Sequence, residues 1–392
     1  MLALRARRLF DGQEMRHDQV VIVKDGRIAD VTADVATDVP AAVDLGDATL
    51  LPGLIDCHVH LAFDAGHDVV AMLEPPGLPD RMRQAARQHL AAGVTTVRDL
   101  GDRDYLALGL GLGLDGPEVL SAGPPITTPG GHCWFLGGEA AGEQGVRKAV
   151  RERAARGVHV IKMMVTGGEM TPGTHSHLLQ YGLAELKAAA DEAHAHGLPI
   201  TGHVHCAQGI AHVLDAGFDS IEHCSFFTED SYAVDHTVVA QLAAADVVVS
   251  LTVGVAPSPV PLPPRIQQRM AGMREALRAI QAAGVDFVIG TDAGIGPPKP
   301  HGVLPYGAEM LVENGYAPLD VLRAITSAAA RVCRVGERKG RIAPGFDADL
   351  LAVAGDPLSD ITALRRPLAV YRMGSRATGR VGQINQTAPT IG

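Results

Sequence analysis

Residues 141–168 read AGEQGVRKAVRERAARGVHVIKMMVTGG. The first part is amphipathic at helical spacing and stops at Gly157; the second is a short apolar run rich in Val, Ile and Met. A glycine just past the last helical residue is C-cap chemistry, so the stretch predicts a helix, a tight turn and a buried strand. The junction recurs downstream. GLAELKAAADEAHAHG (182–197) leads into LPITGHVH, AQGIAHVLDAG (207–217) into FDSIEHCS, DHTVVAQLAAA (235–245) into DVVVSLTVG, and RIQQRMAGMREALRAIQAAG (265–284) into VDFVIGTDAG. Upstream, DRMRQAARQHLAAG (80–93) enters VTTVRDLG, PEVLSAG is a further strand, and GLIDCHVH (53–60) is the first. Eight strands, nearly all followed by helices, predict an α/β fold of the (β/α)8 TIM-barrel type over residues 53–337 rather than an open doubly wound sheet.

The two ends break this rhythm. Residues 1–52 and 338–392 hold short strand-like pieces joined by DG-type turns, among them DQVVIVKDGRIADVTAD and RKGRIAPGFDADLLAVAG. They are expected to form one small β-sandwich domain built from both chain ends. The polar tail after about Gly382 is expected to fray.

The length of 392 residues leaves room for a large barrel with such an attachment. With 46% hydrophobic and 20% charged residues the composition is that of a soluble globular protein, and with no apolar run of spanning length a membrane role is not expected. A net charge of −10 and the lack of a Lys/Arg block speak against nucleic acid as a partner. The arginines in MLALRARRLFDG interrupt what a signal peptide would need. Five scattered cysteines without CxxC spacing fit a reducing cytoplasm and argue against a disulfide framework or a cysteine zinc site.

In a parallel barrel the functional groups gather at the C-terminal strand ends. Those ends carry His58 and His60 on strand one, Lys162 on strand four, His203 and His205 on strand five, His223 on strand six and Asp292 on strand eight. Alternate residues of a strand share a face, so His58 and His60 project together as a natural pair of metal ligands. Singly, each has a plainer reading: a histidine at a strand end is usually a hydrogen-bonded packing residue, and an Asp before Ala-Gly is often a turn residue. Lys162, amid Ile, Met, Met and Val, resists that reading, because a buried unpaired ammonium costs several kcal/mol or is driven neutral. A neutral amine can add carbon dioxide, and the carbamate so formed is an anionic two-oxygen ligand able to bridge two divalent metals.

This order of HxH, Lys, His, His and Asp resembles the amidohydrolase superfamily, with LPGLIDCHVH at the entrance and KGRIAPGFDADLLAVAGDPL at the return. The segments TTVRDLG, PGGHCW, IKMMVTGG, IEHCSF and HGVLPYGAEM look like the branch of Xaa-Pro dipeptidases (prolidases), arginine/lysine carboxypeptidases and imidazolonepropionase-related proteins. The resemblance implies two divalent metal ions, commonly zinc, bridged by an N6-carboxylated Lys162 and a hydroxide. His58 and His60 would hold one metal, His203 and His223 the other, and Asp292 would bind the first and handle protons. It also implies substrate roles for His205, one pleat out from His203, and for His132 in PGGHCW, a candidate oxyanion donor. Cleavage of the amide bond of a dipeptide or N-acyl amino acid is the leading expectation. Opening of a cyclic amide, deamination of a heterocycle (which Lys162 counts against) and a non-catalytic scaffold are the alternatives. Tyr181, Arg98 and His301 are candidate contacts to a substrate carboxylate or amide, Arg98 and Arg265 the cations to examine for a carboxylate, and Trp134 a candidate pocket wall. The proline-rich stretch GVAPSPVPLPPRIQQR after strand seven is a candidate pocket cover or a surface loop, and the helical exterior offers an interface for a homo-oligomer.

Overall fold

The computed structural model describes residues 1–33, 42–73, 76–257 and 264–377, apart from the side chains of residues 264–266 and 268. The tail after Gly382, the Arg265 side chain and the middle of the proline-rich stretch lie outside the described residues.

The chain opens with strands β1 (Leu2–Phe10), β2 (Met15–Lys24), β3 (Arg27–Thr32), β4 (Val43–Asp44) and β5 (Ala48–Pro52). The predicted DG turn between β2 and β3 is present: Asp25 and Gly26 both have positive φ, 50° and 79°, the backbone that matches the twist of a two-residue hairpin. Eight parallel strands follow: β6 (Leu54–Val59), β7 (Val94–Asp99), β8 (Glu118–Ser121), β9 (Ile161–Met164), β10 (Ile200–Val204), β11 (Ser220–His223), β12 (Val248–Leu251) and β13 (Phe287–Ile289). The chain returns through β14 (Leu350–Ala354), β15 (Pro367–Arg372) and β16 (Ser375–Arg376).

The parallel strands pair in chain order as a three-stranded sheet, β6-β7-β8, and a five-stranded sheet, β9 to β13. Isolated bridges join the two at both seams. Val59 pairs with Ala293, with Asp292 N donating to His58 O at 2.7 Å. Ile126 pairs with Met163, and Ile126 N donates to Lys162 O at 2.8 Å. Helices such as Gly142–Arg156 and Leu183–Ala195 connect the strands. Gly157 ends the first of these at φ 78°, its N–H reaching Ala154 O and Arg153 O, which is the C-cap predicted from the sequence. The main hydrophobic cluster runs between strands and helices, from Val59 and Val97 through Ile161 and Val204 to Ile289 and Leu322.

The terminal strands are hydrogen-bonded into one mixed sheet of eight strands, in the order β16-β15-β14-β5-β1-β2-β3 with β4 beside β1. They were expected as a small sandwich; their pairing unites them in a single sheet. β14 is antiparallel to β5 over five residue pairs, so the two chain ends meet strand to strand. Leu4, Leu9, Val21, Leu50, Leu350 and Tyr371 share a second hydrophobic cluster. One residue, Gly53, separates β5 from β6. A Cβ there would lie 2.2 Å from Thr95 Oγ1, so only glycine lets the chain pass from one sheet to the other at this spot.

Candidate active site

The sequence-predicted residues meet where the parallel strands end. His58 and His60 are 1% and 5% exposed, and their Nε2 atoms are 3.2 Å apart. Asp292 Oδ1 stands 3.4 Å from the first and 3.3 Å from the second. These three can converge because Asp292 adopts φ 59° directly after strand eight, against the His58 carbonyl. Across the site, His203, His205 and His223 form a second group whose ring nitrogens lie within 4.8 Å of one another, with His203 Nδ1 and His223 Nε2 2.8 Å apart. The His58 and His223 rings are 5.3 Å apart, so the two groups adjoin.

The outer nitrogens show which atoms are free to ligate. His60 Nδ1 lies 3.1 Å from Gly101 O and His203 Nε2 lies 3.2 Å from Gly167 O. A carbonyl only accepts, so those nitrogens carry the protons and leave lone pairs on His60 Nε2 and His203 Nδ1. His58 Nδ1 faces Glu222 Oε2 at 2.9 Å, which likewise turns its Nε2 lone pair inward. Lone pairs and a carboxylate at mutual distances of 3.2–3.4 Å repel one another unless a cation or proton lies between them. Burial, with the nearby Lys162 charge, pushes His58 down to about 4, so near neutrality it does not supply that proton; His60, which burial would lower, is raised by Asp292 and can hold one proton there, in the place a cation would take. The donor set therefore fits a metal ion.

Lys162 Nζ is buried, 1% exposed as a residue, with no hydrogen-bond partner. Burial pushes its ammonium down to about 8, against the pull of Glu222 and Asp292. Its charge is felt at His58, His203 and His223 alike, which puts it beside both groups. An orphaned, readily neutralised amine is what carbamate formation requires.

His132 lies in the loop after β8, its ring 4.8 Å from that of His203, its Nδ1 buried without a partner and its pKa held at about 4 by burial. His205 is less remote than expected. It stacks on His223 at 4.4 Å, bonds Ser225 Oγ through Nδ1 at 3.1 Å and belongs to the second nitrogen group.

Three expected substrate contacts turn inward instead. Arg98, 2% exposed, donates to Cys57 O at 2.7 Å and Glu222 Oε1 at 2.8 Å. Tyr181 donates to Ala140 O at 2.7 Å. His301 is held between His89 Nε2 and Phe63 O at 3.1 and 2.7 Å. Trp134 is 47% exposed and meets Phe135 edge-on rather than being packed within its loop. Cys57 points away from the site, its Sγ 3.8 Å from Cys333 Sγ, and all five cysteines are unpaired.

Glu222 was missed. It is fully buried and binds Arg98, Thr201 Oγ1 (2.7 Å) and His58. Burial disfavours its charge, yet Arg98 and His58 hold it well below the usual carboxylate range. The signal was available: a glutamate inside the apolar strand SIEH is as costly as Lys162 in IKMM. Asp56 was missed too. It takes Thr291 N and Oγ1 at 2.9 and 2.7 Å, tying strand one to the turn that carries Asp292, and burial raises it to about 7.

Residues 49–375 match the family model described as the Amidohydrolase family. The chain belongs to the amidohydrolase family. It is 28% identical over 357 residues to an ochratoxinase of Aspergillus niger, covering 82% of this chain and 73% of that protein. An imidazolonepropionase of Stenotrophomonas maltophilia is 24% identical over 414 residues, covering 93% of this chain and 90% of its own. Among solved structures, a Xaa-Pro dipeptidase with methionine bound in its active site superposes with a TM-score of 0.84 at 25% identity, over 96% of this chain and all of that one. This amidohydrolase is accordingly a hydrolase acting on C–N bonds. Among its described residues no helix is long and apolar enough to cross a membrane.

Proposed function

We propose that the protein is a metal-dependent amidohydrolase that cleaves the amide bond of a small substrate, a dipeptide or an N-acyl amino acid. The observation that carries this reading is the pairing of inward lone pairs on His58 and His60 with the Asp292 carboxylate, beside the unpartnered Lys162. His58, His60 and Asp292 would hold one divalent cation, His203 and His223 a second, and Lys162 as a carbamate would join the two. Zinc suits an imidazole and carboxylate set of this kind. Such cations supply Lewis acidity and lower the pKa of water.

The chain's own groups do the rest. Asp292 is placed to take a proton from the attacking water and return it to the leaving nitrogen. His132 Nδ1, unpartnered beside the second histidine group, is placed to hydrogen-bond the developing oxyanion. His205, fixed by Ser225 and two ring stacks, borders the substrate or supplies a third nitrogen to the second cation.

We read the two parallel sheets, bridged at both seams, as a closed (β/α)8 barrel over 53–337. Residues 1–52 and 338–392 would then be one composite β domain. The unpaired cysteines suit the cytoplasm, and the exterior helices suit a homo-oligomer.

The test is a mass-spectrometric screen of metal-loaded protein against dipeptides, N-acyl amino acids, cyclic amides and aminated heterocycles. Fragmentation into acid and amine is the expected outcome. Addition of water without fragmentation would mean ring opening, the second reading, which the imidazolonepropionase relative favours. Exchange of an amino group for oxygen, or no reaction across the amide classes, would overturn the proposal.

A further inference from the structure

A substrate with a free carboxylate needs a cation beside the ligand cluster with hydrogen-bonding capacity left over. Lys162 is taken by the reading above as a carbamate, and the other cations near the cluster are already engaged. Arg98 is spent on Glu222 and the Cys57 carbonyl, and Lys299 Nζ on the Thr252 and Thr291 carbonyls at 3.2 and 2.7 Å.

Arg269, on the second turn of the helix Pro264–Ala282, is different. Its guanidinium lies 5.0 Å over the Phe227 ring. Phe227 stacks on His205 at 5.2 Å with 13° between the planes, and His205 stacks on His223 at 4.4 Å. Four planar groups thus run outward from the second histidine cluster and end in a positive charge. Among the described residues its one polar partner is Glu169, with Nη2 2.9 Å from Oε1. Glu169 follows β9 and Arg269 follows β12, so the pair spans the ends of β10 and β11, over His205. The Arg269 side chain is only 15% exposed while that of Glu169 is 40% exposed. A guanidinium offers five N–H groups in a fork suited to two carboxylate oxygens, and toward the described residues this one uses a single N–H while a ring face shields it from water. An acylated amino acid carries its carboxylate one residue's reach, about 3.5 Å, from the amide carbon. Its anchor must therefore stand outside the cluster and not within it, and Arg269 lies one ring, Phe227, beyond His205.

We propose that Arg269 is the carboxylate anchor of the site, a free substrate α-carboxylate taking the position Glu169 holds on Arg269. This rests on the amide-hydrolase reading above and narrows it. Glu169 is the more exposed partner and keeps its Ser176 hydrogen bond (2.9 Å), so it can yield without losing every contact.

The test compares N-acyl-L-amino acids of varied side chain with their C-terminal amides on the metal-loaded protein, alongside Arg269→Ala, Arg269→Lys and Glu169→Gln. The wild type is expected to prefer the acids by roughly 10- to 100-fold in kcat/KM. In Arg269→Ala that preference should collapse toward one, mainly through KM, and in Arg269→Lys it should survive in part. Glu169→Gln should lower KM for the acids, since the competing carboxylate is gone. An equal loss on acids and amides in Arg269→Ala, or a wild type without preference, overturns the anchor while leaving amide hydrolysis intact. If the wild type cleaves neither, the hydrolase reading fails, and calorimetric binding of the same acids and amides decides the anchor separately. Acid-selective binding lost in Arg269→Ala supports it, and its absence overturns it.

Discussion

Two clusters of buried charge sit in this molecule, and they are built on opposite rules. Where the chain returns to the terminal sheet, Lys339, Asp347, Asp349 and Arg372 are all under 7% exposed. Lys339 Nζ reaches Glu118 and Asp347 at 3.3 Å each and also Asp349; Arg372 bonds Asp349; Arg338 bonds Asp347 at 2.9 Å and both oxygens of Glu118. Every cation there has a carboxylate. At the parallel strand ends, imidazole nitrogens crowd one another at 2.8 and 3.2 Å and Lys162 Nζ has no hydrogen-bond partner. Complete pairing lets a fold bury charge, and a dense group of incompletely paired polar atoms marks a candidate functional site.

The sharpest way to break that contrast is Lys162→Ala. It is expected to lower bound metal below two per chain and to cut turnover by roughly 1,000-fold or more, on the scale seen when a central catalytic group is lost. The metal-free protein should melt no lower than wild type, because an uncompensated buried amine is being removed. Elemental analysis and melting curves in chelator check both parts, and a large loss of apoprotein stability would put Lys162 with the paired cluster instead. Asp349→Ala should do the reverse. It leaves Lys339 and Arg372 short of a partner, so urea unfolding should show a loss of about 3–5 kcal/mol, with metal content of the folded fraction unchanged.

Glu222→Gln sharpens the comparison, since Glu222 belongs to both worlds: paired with Arg98 on one oxygen and facing His58 with the other. Metal affinity, measured by competition with a chelator, should fall about 10- to 100-fold. The smallest effect concerns pH. Burial would raise the Glu118 carboxyl, but Arg338 and Lys339 draw it down to about 2 from the ordinary 4.5. A depressed carboxylate stabilises the fold above its unfolded pKa and loses that contribution as pH falls from about 4.5 to about 2. Glu118→Gln should therefore flatten the acid limb of stability against pH over that window and leave the neutral range parallel to wild type.

Much of this was readable before any coordinates. Periodicity and glycine stops located the strands and helices, because those signals are local. The buried group of histidines, Lys162 and Asp292 was readable because a charge or imidazole at the end of an apolar strand is conspicuous. What failed was direction and partnership. Arg98 looked like a pocket cation, but its partner Glu222 lies 124 positions away, and nothing within VTTVRDLG reveals that contact. Tyr181 and His301 failed alike, each satisfied by a distant carbonyl. The terminal strands were recognised from their turns, yet turns fix hairpins and not the β5–β14 pairing that merges both ends into one sheet. Arg269 went unnoticed because, on a polar helix turn, it looks like any solvated arginine.

The β5–β14 pairing also sets a clock. β5 is complete by Pro52, but its partner begins at Leu350, so at roughly 5–20 residues per second β5 waits on the order of 15–60 s on the ribosome. It is one glycine away from the strand that carries His58 and His60. In a nascent chain those two histidines are therefore anchored on one side long after they are made. Asp292 is synthesised before β14, so the group of His58, His60 and Asp292 can assemble before the sheet that steadies it.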